Sequence, residues 1–173
     1  MTRTALTLTL FAGLSLWASG QDGAPLMERR LKQFEANRLL LSQLIDHGLK
    51  LSSAEKGGNT LARAEECRLA AATLAAALKA APGDDPDRVA ELGDHIAAVV
   101  RDGLVPNLTQ AGQDIRPGSQ DYERLKDLSR LSNEDVIAIV AAFPTGDRLE
   151  RSSKVADARS RLADAGRKII VIK

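Results

Sequence analysis

Aromatic side chains are scarce, at 3% of 173 residues. An interior built almost without them must be aliphatic and alanine-rich, which suits packed helices better than a β-sandwich. Cysteine is nearly missing too: Cys67 stands alone, so no internal disulfide can form. A surplus of one charge is also lacking. The formal charge is +1, and Arg3 is the only charged residue in positions 1–20. Beyond position 20 the charges balance, which argues against nucleic acid as the main partner, since phosphate binding needs excess Lys and Arg. Past the amino terminus no apolar run approaches the roughly 20 residues that a membrane helix needs. The chain after residue 20 is therefore expected to hold no stable membrane span.

The amino terminus is the exception. Residues 1–20, MTRTALTLTLFAGLSLWASG, start positive at Arg3, continue through a mostly apolar stretch from Ala5 to Trp17, and close on small residues before Gln21-Asp22. This is the layout of a secretory signal peptide cleaved after Gly20. No cysteine follows it to carry a lipid anchor. The expected location is exported, periplasmic or secreted.

The most regular stretch is Thr60 to Ala81, TLARAEECRLAAATLAAALKAA, without glycine or proline. Alanine loses no side-chain entropy on entering a helix. Ala64, Cys67, Ala71, Leu74, Leu78 and Ala81 recur at alternating steps of three and four, which places them on one helical face. Before it, Pro25 suits a first helical turn, and a helix is expected from Leu26 to about Ser52. Its main stripe reads Met27, Leu31, Phe34, Leu41 and Ile45, interrupted by Arg38 and widened by Leu40, Leu44 and Leu51. Gly57-Gly58 breaks it.

Asp85-Pro86 reads as cap and first-turn proline of a third helix carrying Val89, Leu92, Ile96, Val99 and Val100. Gly93 and Gly103 inside it mark either close approach to a neighbour or plain tolerance. Pro106 is expected to end or kink it near Leu104. Arg116-Pro117-Gly118 is the clearest boundary. Ser119 then caps a helix with Tyr122, Leu125, Leu128 and Leu131, and Ser132 with Asp135 suggests a second start within it. Asp147 and Glu150 resemble a capping box for a last helix ending at Gly166. The tail, Lys168 to Lys173, holds four consecutive β-branched residues and reads as an extended arm. Residues 84–123 carry nine acids against three bases, and residues 147–173 eight bases against four acids. The simplest account is that the basic end packs near the acidic third helix.

Chemistry is sparse. Glu91 and His95 lie one helical turn apart, but His47 is too far along its own helix to share an ion with them. No G-x-S-x-G elbow or phosphate loop occurs. Cys67 sits on the apolar seam and reads as a small buried hydrophobe. Asn107-Leu108-Thr109 matches a glycosylation triplet. The repeated Leu-Thr-x-x-Gln motif of periplasmic helical-hairpin sensors is not met, because Gln113 follows Leu108-Thr109 one place too late. No family is assigned.

The sequence thus predicts an all-α fold. Residues 1–20 are the signal peptide. Residues 21–115 form an antiparallel three-helix core, a long helical hairpin plus a third helix. Residues 116–165 add one or two further helices, and 166–173 an extended tail. No catalytic, cofactor-binding or metal site is assigned, and no cofactor. The function expected is a non-catalytic interaction or adaptor module of the periplasm or cell envelope. Its partner is a protein or a second copy, met through leftover apolar surface such as Leu39, Leu40 and Leu49. The alternative is a periplasmic small-ligand or metal-responsive sensor.

Overall fold

Capping chemistry sets most of the helix limits in the computed structural model, which describes residues 23–172. The leader expected over residues 1–20 lies outside them. The fold is all-α, and the described residues contain no strand. The helices are α1 (Gly23–Lys56), α2 (Thr60–Lys79), α3 (Pro86–Ala98), a π-helical segment (Val99–Leu104), α4 (Val105–Asp114), α5 (Gln120–Ala141), the single turn α6 (Asp147–Glu150) and α7 (Ser153–Gly166). The Asn59 side chain accepts from Ala62 N–H at 2.9 Å and the Asp85 carboxylate from Arg88 N–H at 3.0 Å. Ser119 accepts from Tyr122 N–H. Each bond satisfies a donor that the first helical turn leaves open.

The chain divides into two compact units, Met1–Glu35 and Ala36–Lys173. In the first, the described residues are helical, Lys32 pairs with Glu28 at 2.7 Å, and Leu31 and Phe34 are exposed. In the second, the α2 seam is buried from Ala64 through Leu78. It packs on α3, the π segment and α4. The turn over residues 80–85 brings Cys67 against Gly103, where an added Cβ would stand 2.8 Å from the sulfur. Gly103 is therefore a point of close approach.

The densest pairing is α3 with α7. Asp87 pairs with Lys154 at 2.7 Å, and Asp94 with Arg161 through two hydrogen bonds of 2.8 and 3.0 Å. Both partners stand 67 residues apart, so the two helices run in the same direction. Between the ion pairs lie Val89, Leu92 and Ile96 of α3 and Val155, Ala158 and Leu162 of α7, all buried. Gly93 lets the backbones close: a Cβ there would meet Phe143 Cζ at 2.8 Å and Ala158 Cβ at 3.2 Å. The basic end of the chain does pack along the acidic third helix.

Several local expectations are corrected. Of the two outcomes expected of Pro106, an end or a kink near Leu104, the end does not occur. The path widens into the π segment, where Val105 N–H reaches Val100 C=O, and continues as α4 with the proline in its first turn. A π turn relieves the clash between a proline ring and the preceding turn. Helix α5 runs unbroken through Ser132, because that residue is fully buried among apolar neighbours and Asp135 is held by Arg68 at 2.7 Å. The Asp147–Glu150 turn is separate from α7, which is capped by Ser152 instead. The tail lies along the helices: Ile169 is buried, and Ile172 N–H donates to Ser129 Oγ at 3.3 Å.

The largest correction concerns α1. From Leu31 onward its expected main stripe faces solvent, with Leu41 and Ile45 45% and 61% exposed. The inward residues are Asn37, Leu40, Leu44, His47, Leu51 and Ala54. These also step by three and four, so the helix has two competing seams and periodicity alone does not choose between them. Polar anchors described below decide the matter. Leu40, named as leftover surface, packs on the core, whereas Leu39 and Leu49 are exposed.

Candidate functional site

The part of α1 from Ala36 to Lys56 is fastened by side chains rather than by backbone approach. Asn37 Oδ1 accepts from Arg88 of α3 at 2.7 Å. The His47 ring, only 14% exposed, lies 2.9 Å from Glu66 Oε2 and 3.1 Å from Thr73 Oγ1 on α2. Leu40, Leu44 and Leu51 fill the spaces between. The two ring nitrogens of His47 thus bridge two points on α2. This polar pair within an apolar seam fixes which face of α1 turns inward.

The opposite face has no such partners. Leu39, Leu41, Ile45 and Leu49 are all large, apolar and exposed, between 45% and 66%. Single exposed leucines are ordinary, but Leu41, Ile45 and Leu49, each four residues from the next, form a continuous apolar strip, with Leu39 on the other flank of the helix. Arg38 is exposed at one end of that strip and Gly48 at the other, with open space around the latter. The strip is rimmed by Asp46 and Lys50, also exposed.

Other candidates resolve differently. His95 faces solvent and stands 3.8 Å from Glu91. His47 is engaged elsewhere, so the two histidines do not converge. Among the described residues no group of three or more His, Cys, Asp or Glu is placed to hold a metal ion. Cys67 is buried, and the loss of solvent pushes its thiol up to about 11 against a weaker opposing pull from Asn107. A thiol that stays protonated at neutral pH is a poor nucleophile. Asn107 donates its side-chain N–H to Gly103 C=O at 2.8 Å, so the amide of the expected glycosylation triplet already has a structural task.

Several surface grooves lie among the described residues, and two combine apolar walls with a charged rim. One, of about 370 Å³, lies over the start of α2 beside Asp114, Asp121 and Arg124. Arg124 is already paired with Asp121 and Glu65 there. The other, of about 550 Å³, runs between the end of α5 and α7 and is lined by Val140, Phe143, Leu149 and Val155, with Glu150 and Arg159 at its rim. Neither brings a nucleophile to a positioned base. Among the described residues no helix is long and apolar enough to cross a membrane.

The bridging role of His47 and the Asn37–Arg88 bond were not read from the sequence. The signal was present: residues 37, 40, 44, 47, 51 and 54 form a second seam with two polar members, a pattern that favours specific anchoring. The chain matches no protein-family model, and no curated protein or solved structure is significantly similar to it.

Proposed function

We propose that the protein is a non-catalytic interaction module of the periplasm or cell envelope, with the outer face of α1 as its contact surface. One observation carries this reading. Helix α1 is already partnered on its inner face by His47, Asn37 and three leucines, yet presents Leu39, Leu41, Ile45 and Leu49 to solvent. Exposing such a strip costs solubility unless something covers it. Over Ala36–Lys56 a helix held by side-chain anchors keeps its outer side accessible. The exported location rests on the leader-like residues 1–20.

A photo-crosslinking residue placed at Leu41, with a second at exposed Arg159 as control, tests the surface in the cells that make the protein. A discrete protein adduct is expected at Leu41 and none at Arg159. Absence of any adduct at Leu41 would refute the reading. Fractionation of the same cells tests location: the chain should appear shortened by about two kilodaltons, the mass of roughly 20 residues, outside the cytoplasm.

A further inference from the structure

We draw no further inference here: the strongest candidate, the groove between the end of α5 and α7, has a floor of Phe143, Leu149 and Val155 already buried within the fold and a rim of opposite charges, Glu150 and Arg159, and nothing in the structure shows what covers it.

Discussion

Helices α7 and α1 both pack on the bundle, but by opposite means. Helix α7 lies against α3 at close range, because Gly93 carries no side chain and faces the small Ala158 methyl and the edge of Phe143. The apolar contacts there are fully buried, and two ion pairs line the outside. Helix α1, over Ala36–Lys56, stands farther off and is held by long side chains: Asn37 to Arg88, His47 to Glu66 and Thr73. The difference teaches where stability and where accessibility reside. Small residues let α7 become part of the core. Polar anchors give α1 a defined orientation while leaving its far side free.

The sharpest way to test that contrast is to remove a leucine from each helix. Leu162 of α7 has no exposed surface, whereas Leu44 of α1 is only partly buried. Leu162→Ala is expected to cost about 2–5 kcal/mol, from lost burial plus an unfilled cavity. Leu44→Ala should cost about 1 kcal/mol, since solvent already reaches that site. Urea unfolding measures both. Equal losses would mean that α1 is as much core as α7.

Alkali attacks the same core from within. The Cys67 thiol ionises near 9 in an unfolded chain and at about 11 here, because burial disfavours the thiolate. Between these values the folded state holds a proton that the unfolded state releases, so stability falls as pH rises. The group contributes fully below pH 9 and its contribution is gone above about 11, a loss of about 3 kcal/mol. Comparing wild type with Cys67→Ala by urea unfolding across this range isolates the effect. The variant should lack that part of the decline.

Glycine substitution is expected to change sign between the two regions. Gly93→Ala drives a methyl into Phe143 and Ala158. Overpacking of about 1–3 kcal/mol outweighs the roughly 1 kcal/mol that alanine gains in a helix. Gly48→Ala meets nothing and should stabilise the folded chain by up to about 1 kcal/mol.

These contrasts also show what the sequence could convey. The α2 seam was legible because Ala64, Cys67, Ala71, Leu74 and Leu78 keep one period along an uninterrupted helix, and all five are buried; Ala81 lies past its end. The Asp85 and Ser119 caps were legible because side-chain oxygens at those positions have one local use. Helix α1 misled because it carries two seams of equal period, and which one turns inward depends on Glu66, Thr73 and Arg88, residues remote in the chain. Pro106 left two outcomes open, an end or a kink near Leu104. A proline stops an isolated α-helix, but packing of the π segment on α2 maintains the path. Ser132 looked like a cap because its burial is a tertiary fact.

A subtler test of the anchoring concerns His47. Replacing it with alanine removes the partner of the Glu66 carboxylate and of Thr73. The expected cost is about 1 kcal/mol, because both groups can turn to water. The consequence should be local. Amide exchange in the Ala36–Lys56 part of α1 should accelerate while α3 and α7 keep their protection. Acceleration throughout would show that α1 unfolds only with the rest.

The smallest effect is expected where the geometry looks most persuasive. The Lys154–Asp87 bond is 2.7 Å long, but both side chains are more than two-thirds exposed. Water screens such a pair, and holding a lysine in one rotamer offsets much of the attraction. Lys154→Ala should therefore leave the unfolding midpoint almost unchanged. Arg161→Ala should cost somewhat more, because its guanidinium makes two hydrogen bonds to Asp94. Raising the salt concentration should shrink the Lys154 effect first. If it instead removed most of the stability of the α3–α7 pairing, the buried face of Val89, Ile96 and Leu162 would not be what holds these helices together.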